Sequence, residues 1–160
     1  MVGTVFGSYS RFLILLAALS ITSVLQAKSF TRDLDLIYHK QGGYALTMDR
    51  LVPTGEANGA AVIMVVSGRW ISRHEFLAPQ VADQLPGVAK GIVNPTELLK
   101  RGYTVFYVVH GAQPLFTIPE IHSHLSQAVK HIRHNAERYG IDPLHIGIMG
   151  GSAGGHLSLL

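Results

Sequence analysis

Ser152 stands inside Gly150-Gly151-Ser152-Ala153-Gly154, a G-x-S-x-G pattern. The apolar run Ile146-Gly147-Ile148-Met149 precedes it, and Gly155-His156-Leu157-Ser158-Leu159-Leu160 follows. A serine hydroxyl is a weak nucleophile until a base takes its proton, and it must stand clear of the backbone to reach a carbonyl carbon. A strand-to-helix turn sharp enough to present it drives φ positive and crowds two backbones together; glycines permit both. The pattern is short enough to arise by chance, so its weight comes from the apolar strand before it and the helix-compatible run after it. A phosphate cradle is the competing reading of a glycine-rich strand, turn and helix. A P-loop needs Lys-Ser/Thr after its last glycine, whereas His156-Leu157 follow Gly155, and the G-x-G-x-x-G spacing also fails here. A hydrolase nucleophile is the favoured chemistry.

Other residues invite roles beside Ser152. Ser67-Gly68-Arg69-Trp70 ends a buried strand, so Trp70 is a candidate wall for an acyl or leaving-group pocket, or a cover for the core edge. Arg69 there is a candidate contact for an anionic substrate group, with an exposed loop arginine as the plainer expectation. His110 ends a second buried strand, on the edge where open α/β sheets bind ligands, and is a candidate substrate contact. His122, His124, His131 and His134 share one helix, but they flank its apolar stripe and are expected to be solvated rather than to ligate zinc. No metal and no cofactor is expected. His156 is a poor candidate base, because it lies in the helix behind the turn and has no evident orienting partner.

The elements that must carry these residues follow from periodicity. Leu34, Leu36 and Tyr38 alternate with Asp33, Asp35 and Ile37; Gly42-Gly43 turn the chain, and Tyr44, Leu46, Met48 and Leu51-Val52 follow up to Pro53. That predicts an antiparallel hairpin. Ala60–Val66 and Tyr103–Val109 are apolar without alternation, as strands covered on both faces are. Between them, Asn94 suits an N-cap, Pro95 the first helical position, Glu97 the capping box and Gly102 the stop. Ser72 to Val93 resists assignment, with helical spacing broken by Pro79 and Pro86-Gly87. The spacing of Ile121, Leu125, Ala128, Val129, Ile132 and Ala136 predicts a helix over 119–139, ended by Gly140. His145–Met149 is the next strand. Strand, helix, strand, helix, strand and elbow make an α/β fold with a mostly parallel sheet, opened by the hairpin.

Composition bounds the rest. The chain has 160 residues, 48% hydrophobic and 14% charged, with a net charge of +3 and no cysteine. That excludes disorder, disulfides and thiolate metal sites. Scattered Lys and Arg argue against nucleic acid as a partner. Residues 1–27 read as a signal peptide: Arg11 precedes the apolar run Phe12–Leu19, and Ala27 stands before the polar Lys28-Ser29. Leu25 at the −3 position departs from the A-x-A rule, and an uncleaved anchor is the competing reading. A secreted or periplasmic location follows, with no stable membrane association once the segment is cleaved.

The order of elements together with the elbow resembles the α/β-hydrolase superfamily, in its esterase/lipase branch of feruloyl-esterase-like and acetylesterase-like proteins. That branch borders on the prolyl-oligopeptidase-type peptidases. The similarity runs from about Leu34 to Leu160. It is most specific at Gly102-Tyr103-Thr104-Val105-Phe106, at Ile141-Asp142-Pro143 and at Gly150–His156. The resemblance implies Ser152 as nucleophile, with the Ala153 N–H as one half of an oxyanion hole. Gly68 and Arg69 would supply the other half, although Val66-Ser67-Gly68-Arg69-Trp70 keeps only Gly68 and Trp70 of the family's His-Gly-Gly-Gly-Trp.

The resemblance also implies the chain order Ser, then acid, then His. Eight residues follow Ser152, with no carboxylate among them. Residues 28–160 are therefore expected to be the N-terminal part of a longer hydrolase domain, cut after the elbow, inactive alone and weakened by an open sheet edge. The expected substrate is a small-molecule or carbohydrate ester. A prolyl-oligopeptidase-type peptidase and a non-catalytic binding protein or inert product remain as alternatives.

Overall fold

The computed structural model of the chain describes residues 30–77 and 95–160. The signal segment, Asn94, Pro79 and Pro86-Gly87 lie outside the described residues. Five strands form one sheet: β1 (Phe30–Gln41), β2 (Tyr44–Pro53), β3 (Ala61–Val66), β4 (Thr104–Val109) and β5 (Ile146–Met149), in the order β1-β2-β4-β3-β5. The hairpin β1–β2 is antiparallel and joins β4 antiparallel, while β4, β3 and β5 run parallel. β3, β4 and β5 each begin one residue later than their apolar runs suggest.

The faces follow from the apolar runs. Helix α1 (Pro95–Lys100) links β3 to β4 and sets Leu99 against Leu51, Met64, Val66, Val105 and Tyr107 on one face. Helix α2 (Ile118–His134) and the short α3 (Ala136–Tyr139) link β4 to β5 across the other face. There Ile121, Leu125, Ala128, Ile132 and Ala136 meet Met48, Ile63, Val65, Phe106 and Val108. Helix α4 (Ala153–Leu159) adds Leu157 to that second core. β3 thus has its two successors on opposite sides, and the crossovers leave on opposite faces. In open α/β sheets the carboxyl end of such a strand is where a crevice opens and ligands bind.

The structure departs from the sequence reading in three places. The expected helix over 119–139 breaks at Asn135, whose side-chain amide donates back to the His131 carbonyl at 2.8 Å. The chain restarts as α3 and stops at Gly140, which takes the left-handed φ of 66°. In β1 the register shifts between Asp33 and Leu36, with Asp35 at φ 54°, so Leu34 turns outward and is 61% exposed rather than facing the core. The amide of Asp35 in that bulge donates to the buried Asp49 carboxylate at 2.9 Å, which Arg32 also holds. Third, His124 is buried, not solvated. Its position three after Ile121 and four before Ala128 puts it on the stripe itself.

Candidate active site

At the end of β5 the chain turns through Gly150 and Gly151 and enters α4 at Ala153. Ser152, between them, is exposed and has φ 50° and ψ −119°. A non-glycine residue with positive φ costs of order 1–3 kcal/mol and persists only where its surroundings over-determine it. The surroundings here are backbone. A Cβ on Gly150 would lie 2.5 Å from the Gly154 carbonyl carbon, and one on Gly154 would lie 2.6 Å from the Val65 carbonyl oxygen. The two glycines of the motif therefore let the turn close on α4 and let α4 press on β3. Ala153 begins the helix, so its N–H is one of the donors without an intrahelical acceptor.

The second loop leaves β3 beside it. Gly68 and Ile71 exchange both backbone hydrogen bonds at 2.9 Å, enclosing a two-residue turn of Arg69 (φ 53°) and Trp70 (φ 60°). Two successive positive φ values are what a type I′ hairpin turn demands, and Asn-Gly is the usual solution. Arg-Trp in that geometry is strained. The Gly68 N–H is already engaged with Ile71, whereas the Arg69 N–H takes no part in closing the turn. Below it, the buried Ser72 hydroxyl donates to the Val66 carbonyl and accepts from the His110 N–H at 3.1 Å, joining the ends of β3 and β4.

His110 is enclosed, at 3% exposure. Its Nδ1 donates to the Gly111 carbonyl at 2.7 Å, so Nε2 keeps a lone pair, and that atom is buried without a protein partner. Burial pushes its pKa down, against the opposing pull of the Gly111 carbonyl, so the ring is neutral near pH 7. His110, expected as a substrate contact, is enclosed where β4 ends, and its N–H donates to the Ser72 hydroxyl. His124 lies beside it. Its Nδ1 accepts the Gly111 N–H at 3.3 Å, and its ring stands edge-on to Phe116 at 4.9 Å. Burial also lowers its pKa. Trp70 packs partly on the core and donates its indole N–H to His156 Nδ1 at 3.4 Å, so it covers the core edge as much as any pocket.

Two further clusters deserve a chemical reading. His145 Nδ1 lies 2.6 Å from the Asp142 carboxylate, the pairing a triad histidine makes with its acid. It sits at the amino end of β5, however, and Ser152 follows the carboxyl end. A four-residue strand separates those ends by roughly 13 Å. Among the described residues, Asp35, Asp49 and His74 bring possible ligand atoms within 4.8 Å of one another. Arg32 already donates to the Asp49 carboxylate at 3.1 Å, and its guanidinium competes with any cation there.

A family model for BD-FAE matches residues 48–160, from the hairpin through the elbow to the last residue. The chain belongs to the BD-FAE family. Its fold is that of the family's esterase/lipase-like α/β-hydrolases. A truncated carbohydrate esterase from gut microbiota matches this BD-FAE chain with a TM-score of 0.62 and 25% identity, over 82% of this chain and 43% of that one. A bifunctional GH43-CE protein of Bacteroides eggerthii matches with a TM-score of 0.59 and 27% identity, over 79% and 16%. An arylesterase matches with 0.62 and 22%, over 92% and 43%, a likeness of fold. The BD-FAE chain spans less than half the length of each of these structures. Comparison with curated proteins finds no match.

Proposed function

We propose that this BD-FAE chain carries the nucleophile and oxyanion hole of a secreted serine esterase that acts on small or carbohydrate esters. The observation that carries this reading is Ser152 itself: an exposed hydroxyl at φ 50°, on a turn that its flanking glycines hold against α4 and β3. In this reading Ser152 Oγ attacks the ester carbonyl carbon and loses its proton to a histidine. The carbonyl oxygen becomes an oxyanion, held by the Ala153 and Arg69 N–H groups, while Gly68 closes the turn that presents Arg69. Collapse of the tetrahedral intermediate expels the alcohol, which takes the proton, and leaves an acyl-Ser152. Water then attacks the acyl group with help from the same histidine, releasing the acid and the free serine.

The base and its orienting carboxylate are proposed to lie beyond Leu160. The chain order Ser, acid, His supports this. So does the unsuitability of His145, which faces the wrong end of the sheet. The carbohydrate-ester preference leans on the structure at 25% identity, which is named as a carbohydrate esterase. Export is inferred from the Arg11–Ala27 signal pattern.

The test is turnover of p-nitrophenyl acetate by the complete gene product and by its Ser152→Ala variant. The variant should lose at least about a thousandfold in kcat while its fold is retained by circular dichroism. Equal rates would remove Ser152 from the mechanism and favour a non-catalytic role.

A further inference from the structure

His156 has no part in the mechanism above, yet it makes one of the side-chain links between the nucleophile helix and the Arg69 turn. An indole N–H can only donate, so the Trp70 Nε1–H donates to His156 Nδ1 and the proton of the neutral imidazole resides on Nε2. A triad histidine has the reverse arrangement, with Nδ1–H on the carboxylate and the Nε2 lone pair facing the serine. His156 is therefore arranged as an acceptor for Trp70 and not as a base.

Its placement gives that contact a purpose. His156 lies one helical turn after Ser152, and its N–H donates to the Ser152 carbonyl at 3.0 Å. Trp70 follows Arg69 in the strained turn, and its own carbonyl accepts the Gln113 N–H at 3.1 Å. Trp70 is thus gripped at both ends, by the loop after β4 through its backbone and by α4 through its indole. The two rings also meet edge to face, with centroids 5.9 Å apart and planes at 88°. Ala153 and Arg69, the two oxyanion donors of the proposed mechanism, belong to the two segments so joined.

We propose that His156 is a positioning residue which, with Trp70, clamps the Arg69 turn in register with the Ser152 turn. This rests on the esterase reading of Ser152. A donor pair helps only if both N–H groups point at the place where the oxyanion forms. Loosening one segment should therefore weaken transition-state binding and leave ground-state binding of the ester nearly intact.

The experiment uses the complete gene product carrying His156→Phe, His156→Asn, Trp70→Phe and the double variant His156→Phe/Trp70→Phe. His156→Phe keeps the ring contact but removes the acceptor; it should lower kcat for p-nitrophenyl acetate about tenfold with KM within about twofold of wild type. His156→Asn offers an amide oxygen to the indole N–H and should recover most of that loss. Trp70→Phe should match His156→Phe, and the double variant should be no worse than either, because both remove one interaction. A wild-type kcat in His156→Phe overturns the proposal, as does a double variant that shows the product of two independent losses.

A second readout does not depend on catalysis. Trp70 is the single tryptophan of these 160 residues, and subtracting the emission of Trp70→Phe isolates its signal. Acrylamide quenching of that signal should rise in His156→Phe and return toward wild type in His156→Asn; unchanged quenching overturns the clamp. Ser152→Ala is assayed alongside. If it keeps the wild-type rate, the esterase reading fails by itself and the quenching series alone decides the clamp.

Discussion

Gly154→Ala tests how far the site depends on backbone contact. A Cβ at 154 would lie 2.6 Å from the Val65 carbonyl oxygen, with the Val65 carbonyl carbon at 3.5 Å and Cβ at 3.6 Å behind it. The obstruction is strand backbone and cannot rotate away. To reach the 3.4 Å of ordinary contact, α4 must retreat from β3 by about 0.8 Å. Overpacking of this kind costs about 1–3 kcal/mol, and the better helix propensity of alanine returns up to about 1 kcal/mol. The expected net loss of stability is therefore about 1–2 kcal/mol. Catalysis should suffer more, because the retreat carries Ser152 and the Ala153 N–H away from the Arg69 turn. Misplacement by 1 Å can cost about a hundredfold in rate, so kcat should fall by about 30-fold or more. The assay is p-nitrophenyl acetate turnover by the complete gene product, with thermal melting by circular dichroism. Gly147→Ala is the control, since a Cβ there meets nothing within 4 Å. A Gly154→Ala variant with wild-type kcat and melting point would refute the argument that α4 is pressed onto β3 by the motif's glycines.

Two further outcomes follow from the buried groups where β3 and β4 end. Ser72→Ala leaves the buried His110 N–H without its acceptor and should cost about 1–3 kcal/mol, seen as a lower urea midpoint with an unchanged slope. The pH dependence of stability should carry the signature of His110 and His124. Both have folded-state pKa values below the ordinary 6.5, chiefly through burial, so below that pH the unfolded chain binds more protons than the folded one. Their neutral rings leave stability intact above about pH 6.5, and stability falls as the solution is acidified from there through the lower folded values. Melting temperature measured between pH 7.5 and pH 5 should drop, and the drop should be smaller in His124→Gln. A profile that is flat, or that rises on acidification, would refute the buried neutral rings.

How much of this was legible in advance depended on how local the cause was. The elbow could be read because most of its cause is local: a Cβ on Gly150 would collide with the Gly154 backbone only four residues on. The buried strands β3 and β4 were legible as unbroken apolar runs, and the stripe on α2 as a helical repeat. His124 was on that stripe by spacing and was set aside by chemistry, because a histidine is more often wet than buried. Its burial depends on Gly111, whose missing Cβ would lie 2.7 Å from the His124 ring. Leu34 looked core-facing because alternation assumes an unbroken ladder, and the bulge at Asp35 breaks it through a hydrogen bond to Asp49, 14 residues away.

The sequence by itself determined the glycine-flanked turn around Ser152 and the layered α/β architecture, since each is written in spacings shorter than one helix or strand. Only the tertiary structure decided what surrounds the serine. The Gly68 N–H turned out to be engaged in its own turn, His110 to be enclosed, and His156 to face Trp70 across 86 residues of chain. Contacts of that range depend on where β3, β4 and β5 come to lie side by side. The order β4-β3-β5 in the sheet is set by packing on both faces, and no local pattern of residues encodes it.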